Sequence, residues 1–318
     1  MDREQLRHKK KEVESHLKVL STPVKNDAPT NWALRWITGL IAGPLFLFSS
    51  VYAPYLFVVL ALILCIVAYL EWDNFILCLF PEDLEKHQIL RVFYVIIGIT
   101  LPLAAIFTGS FHPVAAMLMV AFFALISFHI ILAMFTKQDR LSSAGYNHFA
   151  NHLVGILWIG MGVSCLILLV KKQPAFAFLG LVIGILSDTC AMFVGRSIGK
   201  HKIFVALSPK KTWEGFFGGV FGSVILYFLV VYSFRDKWSA AVNISWQPLA
   251  VVCILAGFVG QFGDLAQSYF KRIAMIKDSG VFFPGHGGVL DRVCGHLCIA
   301  QFLYFATQFP VIKEQCGN

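Results

Sequence analysis

Nine times the chain runs through a stretch of roughly 13 to 23 mostly apolar residues, with only short polar connections between them. The stretches are 36–52, 55–70, 90–108, 113–135, 153–170, 176–194, 216–234, 249–262 and 297–309. A helix needs about 20 apolar residues to cross the hydrocarbon of a bilayer, and fewer inside a bundle. Backbone N–H and C=O groups find no water there, so each stretch must satisfy them internally, as a helix does. The pattern predicts an all-α, polytopic integral membrane helix bundle with about nine transmembrane helices. Composition excludes the soluble alternative: 58% of residues are hydrophobic and 14% charged, with mean hydropathy +0.72. Soluble domains carry about 25% charged residues.

Charge orients the bundle. With the N-terminus cytoplasmic, the inside segments 1–35, 71–91, 136–152, 195–215 and 263–296 hold 21 of the 26 lysines and arginines. That excess matches the positive-inside bias of membrane proteins, and an odd number of spans puts the C-terminus outside. The chain divides into a basic cytoplasmic segment (1–35), N-terminal transmembrane helices (36–170) and a C-terminal transmembrane region (171–318). Residues 1–35 show no short apolar stretch ending in a small-residue cleavage site, so they do not resemble a secretory leader. Arg7, Lys9, Lys10, Lys11 and Lys18 suit a segment lying against anionic lipid or a solvated tail that sets topology. The eight cysteines are scattered through apolar runs without metal-site spacing and read as small apolar helix residues.

Polar residues gather after the sixth and eighth stretches, so the chemistry is expected on the cytoplasmic side. Asp188 sits late in the sixth stretch, where a carboxylate is costly unless paired or facing a wet cavity. Gly184, Asp188, Ala191 and Gly195 share one helical face, which predicts close approach of another helix with Asp188 at the contact. A loop rich in glycine, hydroxyl and ammonium groups follows, from Gly195 through Lys200, His201 and Lys202 to Ser208, Lys211, Thr212 and Glu214. Such groups suit a triphosphate, although the spacing is not that of a P-loop. Ser208, with Pro209 behind it, reads as a helix N-cap, and Glu214 as an early-turn residue. Farther on, Gln261, Asp264, Ser268, Lys271 and Arg272 fall within about 100° of arc if the eighth stretch continues as one helix. Lys277, Asp278, Gly285, His286, Gly287, Gly288, Asp291 and Arg292 complete the run. Cations in excess balance phosphates, while carboxylates can hold a divalent metal against phosphate oxygens.

These residues carry a resemblance. Ser268-Tyr-Phe-Lys271-Arg272, Lys277-Asp278, Pro284-Gly-His286-Gly-Gly and Leu290-Asp291-Arg292 resemble the signature of the phosphatidate cytidylyltransferases, also called CDP-diacylglycerol synthases. Upstream, Ser187-Asp188, Phe193-Val-Gly-Arg196, Ser208-Pro-Lys-Lys211-Thr212-Trp213-Glu214-Gly215 and Gly263-Asp264-Leu265 match the family in order and spacing. Similarity is close over 180–293 and looser upstream, through Arg35-Trp-Ile-Thr and Glu71-Trp72.

The resemblance implies a dimeric helical membrane enzyme that makes CDP-diacylglycerol and pyrophosphate from CTP and phosphatidate. No nucleic-acid partner is expected. It puts the metal-binding aspartates at Asp264 and Asp291, for Mg²⁺ with room for a second cation. Asp188, Lys211, Lys271, Arg272, Lys277, Asp278, His286 and Arg292 become candidate catalytic residues. Ser208, Thr212, Glu214, Ser268, Gly287 and Gly288 become candidates for substrate binding. A bacterial inner membrane, with the site facing the cytoplasm, is the expected setting. Two positions depart from the family: Cys294 stands where a second aspartate is usual, and Gln267 where glutamate is usual. Cys294 motivates an alternative, a non-catalytic lipid-binding paralogue. A transporter is a further one, disfavoured because the polar residues crowd at one face rather than at mid-membrane.

Overall fold

A computed structural model describes residues 31–79, 84–135, 143–203, 205, 208, 210–242, 246–283 and 287–309. The named elements are all helical: α1 (Asn31–Tyr52), α2 (Pro54–Leu79), α3 (Leu84–Thr108), α4 (Phe111–Phe135), α5 (Ser143–Gly155), a π-helical turn (Ile156–Gly160), α6 (Met161–Lys172), α7 (Pro174–Ser197), α8 (Trp213–Val242), α9 (Trp246–Ile273) and α10 (Leu290–Ala306). Every apolar stretch coincides with a helix, the last trailing into a turn at 307–309.

The helices do not by themselves confirm a count of nine spans. Among the described residues, six helical segments are long and apolar enough to cross a membrane: Pro54–Leu79, Arg91–Thr108, Phe111–Ile131, Tyr146–Lys172, Pro174–Ser197 and Gln247–Ile273. Leu40–Tyr52 and Trp213–Leu229 are apolar but shorter, and α10 has 17 residues with Asp291 in its first turn. Some helices also outrun their sequence limits. α2 continues from residue 70 to Leu79 through Glu71 and Asp73, both buried, because those carboxylates find partners inside the fold.

The described residues group into two compact units that interleave along the chain. The first draws on the described residues within 31–43, 60–164 and 270–291, the second on those within 44–59, 165–269 and 292–309.

In the first unit, aromatic side chains fix the C-terminal half of α2. Trp72 donates from Nε1 to the Asn151 carbonyl at 3.0 Å, and Tyr69 donates its hydroxyl to the Gly98 carbonyl at 3.3 Å. The rings of Phe75, Trp158 and Phe270 surround Trp72 at centroid distances of 5.4, 6.1 and 5.2 Å. Pairs of this kind contribute about 0.5–1.5 kcal/mol beyond their burial. The indole lies against Gly155, at the edge of the π-helical turn, where a side chain would collide with it.

In the second unit, small residues bring α7, α8, α9 and α10 close together. A Cβ at Gly218 or Gly222 of α8 would strike Val194 or Cys190 of α7. Gly260 and Gly263 of α9 admit Ile299 and Cys298 of α10 in the same way. Lipid offers no hydrophobic drive between helices, so contact of this closeness, and the hydrogen bonds it permits, supply the cohesion. One such bond runs from Gln261 Nε2 of α9 to Ser187 Oγ of α7 at 2.9 Å, both residues buried.

Candidate active site

In the second unit, polar residues converge on Asp264. α9 is one helix through Ile273, so the stripe of Gln261, Asp264 and Ser268 exists as the periodicity predicts. The Lys211 ammonium lies 3.8 Å from Asp264 Oδ2, and both side chains are 29% exposed, open to a ligand. On the other oxygen, the Cys294 thiol approaches Oδ1 at 3.5 Å. Asp188 shares its electrostatic surroundings with Asp264, Lys211 and Arg292. Gly195 of the small-residue stripe does meet α8, against Thr212 and Gly215, but Gly184 faces His296 of α10. Asp188 itself stays exposed rather than buried at a helix contact, which leaves its carboxylate accessible. Ser268 is half-buried, its hydroxyl donating to the Asp264 carbonyl at 2.8 Å.

The loop before α8 corrects the expected N-cap. The helix begins at Trp213, not after Ser208, and Thr212 is its cap. The buried Thr212 hydroxyl accepts from the Gly215 N–H at 3.1 Å, satisfying a donor left orphaned by the first turn. Ser208 instead turns the loop, its carbonyl accepting from the Lys211 N–H at 3.2 Å. The loop folds back on itself through a bridge between Lys202 and Thr212, and Trp213 N–H donates to the His201 carbonyl at 2.9 Å. That pairing sets the start of the helix. Pro209 lies outside the described residues. Glu214 closes the loop, accepting from His201 Nδ1 at 2.6 Å and from the His201 N–H at 3.1 Å. Its own N–H, the His201 side chain and the N–H groups of His201 and Lys200 hold its carboxyl down at about 2.

In the first unit, the end of α9 and the start of α10 form the second cluster. Lys271 Nζ donates to Asp291 Oδ1 at 2.6 Å, with side chains only 16% and 7% exposed. Asp291 Oδ2 accepts from the N–H groups of Ser279 at 2.8 Å and Gly288 at 3.1 Å. Gly287 has φ +85°, a conformation that favours glycine, and a Cβ there would press on Asp291. The Gly288 site has no room for a side chain beside Ser279 and Glu71. Arg272, Lys277 and Asp278 are exposed around this turn, as is Arg292 in the second unit. His286, with Pro284 and Gly285, lies outside the described residues. The two expected metal ligands thus belong to different units: Asp264 faces Lys211, while Asp291 is taken up by Lys271 and two backbone donors.

One residue of this cluster was not among the sequence candidates. Glu71 of α2 accepts from Ser279 Oγ at 2.8 Å, Val289 N–H at 2.8 Å and Leu290 N–H at 2.9 Å. Its sequence signals were its place beside Trp72, just past an apolar run, and the looser family resemblance there. Cys65, Cys165 and Cys253 are free, buried thiols, as expected of small apolar helix residues, whereas Cys294, also free and buried, lies against the Asp264 carboxylate.

The model of the cytidylyltransferase family matches residues 33–309. A phosphatidate cytidylyltransferase of Staphylococcus saprophyticus is 37% identical over 171 residues, 53% of this chain and 62% of that protein. Proteins of the same name from Staphylococcus epidermidis and Staphylococcus aureus are 41% and 38% identical over 140 residues, 44% of this chain and 52% of each relative. The alignments thus span between about half and 62% of these relatives' length. With the family model matched from the first helix to the last, the chain belongs to the cytidylyltransferase family.

Proposed function

We propose that this protein transfers the cytidylyl group of CTP to phosphatidate, forming CDP-diacylglycerol and releasing pyrophosphate at a membrane surface. The observation that carries the reading is the Lys211–Asp264 pair, 3.8 Å apart and open, both charges acting on Asp188 together with Arg292. Mixed carboxylates and cations at the edge of apolar helices suit an anionic lipid headgroup meeting an anionic nucleotide.

In the proposed step an oxygen of the phosphatidate phosphate attacks the α-phosphorus of CTP. A new P–O bond forms as the bond to the bridging oxygen breaks, and its electron pair leaves with pyrophosphate. The nucleophile is already anionic, so no strong general base is needed. Lys211, Arg272, Lys277 and Arg292 are the cations assigned to phosphate oxygens, and positioned charge supplies most of the acceleration in such transfers. Thr212 and Glu214 build the loop that carries Lys211, and Lys271 with Asp291 orders the glycine turn. His286 remains a candidate phosphate contact on the strength of the signature.

Mg²⁺ is the metal expected from the family. Among the described residues no three His, Cys, Asp or Glu side chains form a ready-made cage. Mg²⁺ does not require one, because it takes one or two carboxylates and fills its remaining positions with water and substrate phosphate. Asp264, with Asp188 near it, fits that role; the signature also assigns Asp291 to metal, but its oxygens are taken here by Lys271 and two backbone donors. Bound there, the ion would offset charge developing on the phosphates.

The excess of cations in alternate polar segments supports a cytoplasmic N-terminus and a site facing the cytoplasm of a bacterial inner membrane. A homodimer is proposed from the family alone. The reaction is tested by incubating purified protein with CTP, phosphatidate and Mg²⁺ and following pyrophosphate together with the lipid product. Release with CTP, dependent on phosphatidate, is expected; a protein that releases none under these conditions is not this enzyme.

A further inference from the structure

We infer that Glu71 is a positioning residue for the reaction proposed above, holding the glycine turn and the start of α10 so that Asp291 keeps Lys271 in place. The inference rests on that reading for its catalytic consequence, but its geometry stands by itself. Glu71 is 5% exposed and accepts three donors, from Ser279 Oγ, Val289 N–H and Leu290 N–H, at 2.8, 2.8 and 2.9 Å. Two of these are main-chain N–H groups at the beginning of α10, the end of a helix that attracts negative charge.

Ser279 joins the two carboxylates. Its hydroxyl goes to Glu71 and its N–H to Asp291 Oδ2. Gly288 lies between them, donating its N–H to Asp291 while its α-carbon leaves no space toward the Glu71 and Ser279 oxygens. Glu71 therefore fastens both sides of the turn, at residue 279 and at 289–290, and Asp291 takes its two N–H donors from the segments so fastened. Asp291 in turn holds the Lys271 ammonium at 2.6 Å. A carboxylate suits this place because all three partners are donors. Glutamine would turn an NH2 toward at least one N–H or O–H and leave that donor unmet.

Glu71 is placed to do this by its neighbours on α2. Trp72, the next residue, is locked by its bond to Asn151 and by the rings of Phe75, Trp158 and Phe270. With its oxygens occupied by the turn, Glu71 is assigned to organise the turn rather than to touch a reacting atom.

The experiment compares Glu71→Gln, Ser279→Ala and Asp264→Asn with the parent protein, in detergent, by steady-state kinetics and by hydrogen exchange over residues 279–291. Glu71→Gln is expected to lower kcat by about tenfold to a hundredfold, the range typical of residues that orient a reactive group through another. KM for CTP should change less than threefold, and the amides of Gly288, Val289 and Leu290 should lose protection. Ser279→Ala removes one donor without leaving a charge unmet, so it should show the same pattern several times more weakly. It also keeps the test open if Glu71→Gln does not fold. Asp264→Asn should lose turnover with that protection intact, which separates the pinned turn from the chemistry. Unchanged kcat and unchanged protection in both Glu71→Gln and Ser279→Ala would overturn the inference. So would a fall in rate matched by an equal fall in folded protein. If the parent protein shows no turnover, the proposed reaction fails, and exchange at Val289 and Leu290 alone decides whether Glu71 pins the turn.

Discussion

The thiol of Cys294, on α10, donates toward Asp264 Oδ1 of α9 at 3.5 Å, from a side chain almost wholly buried. The residue that breaks the signature is thus in contact with the carboxylate that faces Lys211. Cys294→Ser keeps a donor of similar size and should retain most of the activity. Cys294→Ala removes the donor and should cost severalfold in rate. Cys294→Asp sets a second carboxylate against Asp264, near Asp188, and two carboxylates in one site either share a proton or recruit a cation. We expect it to keep or raise turnover while lowering the Mg²⁺ concentration needed for half-maximal rate. An inactive natural chain that gains turnover from Cys294→Asp would mean that this protein is not a working synthase.

Asp264→Asn and Asp291→Asn should both abolish most turnover but differ in stability. At Asp264 the amide removes charge from an open site, which should lower the rate on the order of a thousandfold while leaving the fold nearly unchanged. At Asp291 the amide confronts two N–H donors and leaves Lys271 partly buried without its partner. Breaking such a pair costs about 3 kcal/mol or more. Thermal unfolding in detergent should separate them, with only Asp291→Asn markedly destabilised. Near-normal turnover of Asp264→Asn at saturating Mg²⁺ would remove Asp264 from the metal assignment.

Thr212 carries a third expectation. Its hydroxyl caps α8 from a buried position, so Thr212→Val should destabilise by about 1 kcal/mol and Thr212→Ser by much less. Because the same residue ends the loop bearing Lys211, the valine variant should also raise KM for CTP. A silent Thr212→Val in both measurements would move the cap elsewhere.

The helical membrane architecture was legible because apolar length is a local property that each stretch carries by itself. The stripe from Gln261 to Lys271 was legible for the same reason, since its period lies within one helix. Other features depend on partners far along the chain. Glu71 acquires its role from Ser279, 208 residues away, and nothing near residue 71 announces that bond. Ser208 and Thr212 are both sound caps by local chemistry, and the pairing of Lys202 with Thr212 chooses between them. The predicted end of the second stretch at residue 70 failed similarly: Glu71 and Asp73 look like a membrane boundary until their partners are known. Arg91 Nε lies 3.5 Å from Asp73 Oδ2, a contact made across 18 residues of sequence.

The last expectation concerns the turn that ends α9 and opens the signature loop. Met275 N–H donates to the Arg272 carbonyl at 3.1 Å and Ile276 N–H to the Lys271 carbonyl at 3.0 Å, the paired bonds that close a helix with a left-handed residue. Met275 supplies that residue, at φ 59°, with its side chain 92% exposed. For an L residue with a side chain this conformation costs about 1–2 kcal/mol, while glycine gives back about 0.5–1 kcal/mol through its extra freedom when unfolded. Met275→Gly should therefore stabilise the protein by roughly 0.5–1 kcal/mol, a rise of about 1–3 °C in Tm for a chain of this size. The turn holds the Lys271 carbonyl through the backbone alone, so turnover should not change. A lower Tm would show that Met275 makes a stabilising contact through its exposed side chain. An unchanged or higher Tm with reduced turnover would instead assign that side chain a part in handling lipid.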